Sequence, residues 1–209
     1  MTEQTMTLPA APPIATQEAL HAVIERDLAQ LDRSLREQVE TLTPAQRRTV
    51  PGTGGWHVDA VCEHLCLGNE FYLRAMTAAL DAATRSARSE ATGTTRPASR
   101  QAAVTPWRPA LAGRLLVHAL VSPRRMPRPA VLTPGPEPRV QVLESLLGSH
   151  DALRALLQRA AGVEWRRVRF SSPFARLIRL NLGDGALVIL RHGERHLGQV
   201  ARIRATILS

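Results

Sequence analysis

A chain of 209 residues, 44% hydrophobic and 22% charged, is composed like a globular protein, long enough for one well-buried core but short for two. Its formal charge of +9 would suit an acidic partner, yet every basic residue other than histidine is arginine, which reads as genomic codon bias before selection for phosphate. No apolar run approaches the ~20 residues needed to cross a bilayer, and the acidic, proline-containing start has neither a basic n-region nor an apolar h-region, so a cytoplasmic location without membrane association is expected.

Residues 1–15 read as a flexible leader punctuated by Pro9, Pro12 and Pro13, and residues 16–209 as one domain. From Thr16 a helical period begins, with Leu20, Val23, Ile24, Leu28, Leu31, Leu35 and Val39 at three- and four-residue steps. Leu42-Thr43-Pro44 is expected to end it, and Pro51 to Gly55 form a turn-rich loop. Trp56 opens a second amphipathic segment reaching roughly Ala83, and His64 lies within it. Cys62 and Cys66 share that helix, four residues apart, too far for a ready disulfide, and each points about 160° from His64. They read as small core residues in a reducing compartment. Gly68, one turn after His64, makes room either for a ligand beside His64 or for helix packing.

Between Thr84 and Pro138 the composition changes to Arg, Pro, Ser, Thr and Ala. The stretch to Arg139 holds ten arginines against Glu90 and Glu137, so it carries most of the net charge. It reads as a long crossover with a short helix at the apolar run Ala110 to Val121. A third long helix is expected over Arg139 to Ala161, then an extended connection over Trp165 to Leu180. Asn181 with Asp184 three positions on is a capping pattern for a last helix from Leu182 to about Leu208. Four long helices, one basic crossover and no convincing sheet predict an all-α fold, a four-helix bundle with the crossover at about 84–138 between helices 2 and 3, whose facing side chains can build a metal site.

The last helix contains His192 and His196, four residues apart. At about 100° per residue they project from one face, one turn apart, and two imidazoles so placed can chelate one ion. A solvated helix face shows the same spacing. Glu194 lies about 200° from His192, so no acid stands beside the pair and a third ligand must come from elsewhere.

Gly55-Trp56 opening a helix, Glu63-His64-Leu65 two turns later, a long crossover, Val168 to Pro173, and His192-Gly193-Glu194-Arg195-His196-Leu197-Gly198-Gln199 together resemble the DinB-like (DinB/YfiT-like) metalloenzyme family, over roughly residues 16–208. The resemblance implies that His64, His192 and His196 converge on one divalent metal; all-nitrogen ligation suits Zn, Ni, Fe or Cu. The family often places Ser or Thr after the tryptophan as a helix cap and an acid three residues later. Here His57 and Ala60 stand there, so His57 reads as a poor cap, a solvated residue or a pocket-lining one. No catalytic residue is assigned. Gln199 is a candidate for bonding a metal-bound water, the substrate or a neighbouring helix, Arg195 for attracting an anion or staying solvated, and His150 for facing the site, whereas His21 and His118 read as structural or exposed.

Characterised members of that family include thiol-dependent transferases using low-molecular-weight thiols such as mycothiol or bacillithiol. The resemblance thus implies a metal-dependent thiol S-transferase acting on an electrophilic small molecule in stress response or detoxification, and a homodimer. Two alternatives stand beside it. A noncatalytic, DNA-damage-associated or stress-associated bundle would use the basic crossover to bind nucleic acid; with Trp107 its only aromatic residue, base stacking is poorly supplied and phosphate contact is left. A metal-dependent hydrolase would use the same ligands, but the sequence places no clear general base beside them.

Overall fold

The computed structural model describes residues 16–52, 54–91, 107–122 and 129–209, and side chains throughout those ranges except 88–91. The leader at 1–15 and much of the basic crossover, including Arg96, Arg100, Arg124, Arg125 and Arg128, lie outside the described residues, and so does the nucleic-acid reading that rests on them.

Helix α1 spans Gln17–Val39. The Thr16 hydroxyl accepts from the Ala19 N–H at 3.1 Å, and Leu20, Ile24, Leu28, Leu31, Leu35 and Val39 are buried on one stripe. Pro44 does more than stop that helix. Thr43 and Gln46 form a reciprocal capping box, with Pro44 in the first turn, and open a short helix α2 over Pro44–Arg47. Helix α3 spans Val58–Ala91, longer than its apolar stripe predicts. Beyond Ala83 no apolar face remains to be buried, but the added turns are rich in Ala and Arg, which propagate a helix once it exists.

The crossover helix is α4, Leu111–Val121. A 3-10 turn over Ala130–Leu132 precedes α5, Val142–Arg159, and the last helix, α6, spans Leu182–Leu208. Between α5 and α6 the expected extended connection is a small antiparallel hairpin, β1 (Arg169–Ser172) with β2 (Ala175–Asn181), pairing Arg169 with Asn181 and Phe170 with Leu180. The expectation of no sheet is corrected to that extent. The hairpin survives because it packs on α3, where Phe170 and Phe174 meet Tyr72 edge to face.

Around the shared core, α1 packs on α5 and α6, α3 packs on the same two helices, and α4 lies against α6 and β2. The fold is thus all-α in class, a four-helix bundle carrying the crossover helix on its last member. No helix among the described residues is long and apolar enough to cross a membrane. Cys62 and Cys66 are free and buried, and burial pushes both thiols far up, so neither supplies a thiolate at neutral pH.

One carboxylate ties the crossover helix to α6. Asp184 accepts from the Asn181 N–H at 2.9 Å, closing the capping box, and from the Ala110 N–H at 3.2 Å, at the start of α4. Gly113 allows the approach, since a Cβ there would lie 2.4 Å from the Asp184 carboxyl carbon. Burial raises the Asp184 pKa to about 6, against the pull of those two N–H donors. The folded chain therefore holds more protons than the unfolded chain between about pH 4 and about 6, and this group's contribution to stability is lost as pH rises through that window, by roughly 3 kcal/mol at most. Subtracting the urea-unfolding profile of Asp184→Asn from that of wild type should expose this negative slope. Parallel profiles would show that the carboxyl titrates alike in both states.

Candidate metal centre

Three helical turns on two adjacent helices converge at one point. His64 comes from α3, and His192 and His196 from successive turns of α6, so the i,i+4 spacing read on the last helix acquires its third member through α3–α6 packing. One nitrogen of each ring lies within 4.8 Å of one nitrogen of the others, and the Nε2 atoms of His64 and His192 are 3.1 Å apart. A tetrahedral ion bound at about 2.0–2.1 Å separates its ligand nitrogens by about 3.3 Å. The closest pair is already near that spacing. No acid belongs to the cluster: Glu194 is turned aside and paired with Arg191 at 2.6 Å.

Two of the rings are held in the tautomer that metal binding needs. His64 Nδ1–H donates to the Leu132 carbonyl at 2.7 Å, which turns its Nε2 lone pair toward the other rings. His196 Nδ1–H donates to Gln199 Oε1 at 2.8 Å with the same result. Gln199 therefore orients a ring, which differs from the direct contact with water, substrate or another helix expected of it. Gly68 has a comparable role, since a Cβ there would meet His192 Cε1 at 3.4 Å. The room at Gly68 is filled by His192, and any side chain longer than alanine would crowd that ring. Trp56 covers His64 with ring centroids 4.9 Å apart.

Burial, reinforced by the neighbouring imidazoles, holds His192 well below the ordinary histidine range and His196 down to about 4. Both are held neutral at physiological pH, the form in which an imidazole ligates a metal. Convergent, oriented imidazoles fit a divalent ion, and the all-nitrogen donor set does not choose among Zn, Ni and Fe.

The remaining candidates lie elsewhere in role or place. His57 is not a poor cap, because its ring Nδ1 accepts from the Ala60 N–H at 3.1 Å while its carbonyl accepts from Val61, an N-cap of α3 made by imidazole where a hydroxyl was expected. His150 is fully buried on α5 and bonds Asp32 of α1 at 2.5 Å, apart from the cluster, because α5 turns that face toward α1. Arg195 is engaged with the Leu120 carbonyl at 3.0 Å and with the Ser122 carbonyl, clamping the end of α4 onto α6. His21 stacks edge-on against Trp165, and His118 is exposed. The Leu132 carbonyl escaped sequence reasoning because a main-chain acceptor has no residue signature; only the turn that carries it could have hinted at the position.

The family model described as the DinB superfamily matches residues 27–200. No curated protein and no solved structure matches the chain.

Replacing Gln199 by Leu should weaken metal binding about 10- to 100-fold, as loss of an orienting hydrogen bond does, while leaving the helical spectrum unchanged. Competition with a coloured chelator measures it. For the metal-free protein the depressed His192 and His196 values set the sign of the pH dependence. Their contribution to stability is present above about pH 6.5 and lost as pH falls, for His196 through about 4. His196→Gln should reduce that acid loss, and an unchanged acid limb would show that His196 is not the group responsible.

Proposed function

Because the chain belongs to the DinB superfamily and brings three imidazoles to one point, we propose that it is a divalent-metal enzyme of the thiol-dependent transferase type, acting with a low-molecular-weight thiol of the bacillithiol or mycothiol kind in detoxification or stress response. The observation that carries the reading is the donor set: His64, His192 and His196 would hold the ion, and none of them brings negative charge. An ion held there supplies uncompensated positive charge, which favours a thiolate over a thiol at neutral pH.

The chain's own part is to orient and to exclude. Leu132 and Gln199 hold two rings in the binding tautomer, Trp56 walls one side of His64, and Arg195 holds the crossover helix against the helix that carries two ligands. Cys62 and Cys66 are sealed in the core with their thiols pushed up, so the nucleophilic sulfur must arrive with a cosubstrate. A metal-dependent hydrolase would need a general base within reach of an attacking water, and among the described residues no carboxylate joins the cluster. Thiolate chemistry has no such requirement.

Elemental analysis of protein purified without an affinity tag should find about one divalent ion per chain, lost in His64→Ala and His196→Ala while the helical spectrum persists. Loaded protein should then consume a thiol-reactive electrophile in the presence of a bacterial thiol, at a rate abolished by a chelator. Failure to hold Zn, Ni, Fe or Mn after reconstitution would overturn the metal reading. Full metal content without turnover with any bacterial thiol would overturn the transferase reading alone.

A further inference from the structure

Away from the three histidines, a cavity of about 580 Å³ opens where α2, the start of α3 and the start of α5 come together. Its volume is in the range of small-molecule sites, about 300–1,000 Å³. Its accessible apolar lining is made by Pro44, Ala45 and Val140, while Val142 and Leu143 behind them are buried in the core. Its polar groups are of both signs and are incompletely matched. Asp59 is only 6% exposed, yet its Oδ1 has no hydrogen-bond partner among the described residues. The nearest cations, Arg47 Nε at 3.8 Å and Arg48 Nε at 3.9 Å, stand beyond hydrogen-bond reach, and the Arg47 Nε–H is itself buried without an acceptor. A buried carboxylate left in this state is costly unless something else satisfies it.

The end of α5 at the cavity adds a second set of unmatched donors. Gln141, the residue before α5, is held at φ 54, a strained left-handed conformation for a side chain other than glycine or asparagine, and makes no capping hydrogen bond. The first N–H groups of this 18-residue helix therefore meet the cavity wall without a side-chain cap. Arg48 also faces Glu137 at 3.6 Å, and the other charges at the rim are engaged. Arg36 takes Glu40 at 2.8 Å and Glu144 at 3.2 Å, and Arg139 is forked onto Glu63 at 2.8 Å and reaches Glu70 at 2.5 Å.

A simple anion here would meet the Asp59 carboxylate, and a simple cation would meet two guanidinium groups. We propose that the cavity binds the zwitterionic head of a free amino acid with a large apolar side chain. The ammonium bonds Asp59 Oδ1, the carboxylate takes Arg47, Arg48 and the N–H groups at the start of α5, and the side chain lies on Pro44, Ala45 and Val140. The site is separate from the three-histidine centre and does not depend on how that centre is read.

Calorimetric titration of the full chain with L-phenylalanine, N-acetyl-L-phenylalanine and L-phenylalaninamide tests the assignment. Saturable binding of the free amino acid at millimolar concentration or below is expected, weakened by about tenfold or more in each blocked analogue. Asp59→Asn should abolish the discrimination against the N-acetyl form. Arg48→Gln, at a half-exposed position that does not threaten the fold, should weaken the free amino acid more than the amide. Absence of saturable binding, equal affinity for all three compounds, or unchanged affinities in Arg48→Gln would overturn the proposal.

Discussion

Burying three imidazoles so that a ring nitrogen of each faces the others, with no carboxylate among them, is the constraint on which the rest of the α3–α6 seam depends. Protonating His192 or His196 places a charge in a desolvated site beside two further rings, so burial holds both neutral, and the nitrogens of His64 and His192 bond each other at 3.1 Å. Such a set is uncomfortable as a hydrophobic core and well suited to an ion. Packing concedes space to it, since Gly68 on α3 carries no side chain where His192 presses against the helix.

The groups that orient the rings also organise the crossover. His64 reaches out of the bundle to the Leu132 carbonyl, in the 3-10 turn that follows α4, and Arg195, between the two histidines of α6, reaches the carbonyls at the end of α4. Both contacts use main-chain acceptors that a helix end or a turn leaves open. The crossover is thereby fastened to the histidine helices at two places, and its start is fastened again by Asp184, which serves the N-termini of α4 and α6 together. A carboxylate shared by two helix starts supports both dipoles at the expense of its own burial, which is why its pKa moves upward despite the favourable donors.

Helix α3 presents different chemistry on different faces. His64 points to α6, Glu63 binds the arginine that precedes α5, and Asp59, about 140° round the helix from His64, points to the mixed-charge cavity near α2. Cys62 and Cys66 lie about 160° from His64, on the side of the helix that carries Asp59, where burial makes them inert. A single amphipathic helix thus separates a nitrogen-lined site from one lined by guanidinium and carboxylate groups, with apolar packing between them.

Much of this was legible in the residues, because it is local. The stripe from Leu20 to Val39, the Asn181–Asp184 capping box and the common face of His192 and His196 follow from helical period and cap chemistry alone, and resemblance to a known family supplied His64 as their partner. Which partner a polar side chain takes was not legible, whether within one turn or across elements. Gln199, expected to bond a metal-bound water, the substrate or a neighbouring helix, instead fixes the tautomer of His196 one turn away; His150 is a core residue because α5 turns it toward Asp32; and His57 is a cap because its imidazole Nδ1 reaches a backbone N–H. The hairpin at Arg169–Asn181 is marginal by its own pairing and exists because α3 offers it an aromatic face. Sequence by itself determined the four long helices and which side chains share a face, since those depend on neighbours within a few residues; the meeting of α3 with α6, the main-chain acceptors that aim the rings and the unmatched charges of the second cavity were decided only by tertiary packing, which brings together groups far apart along the chain.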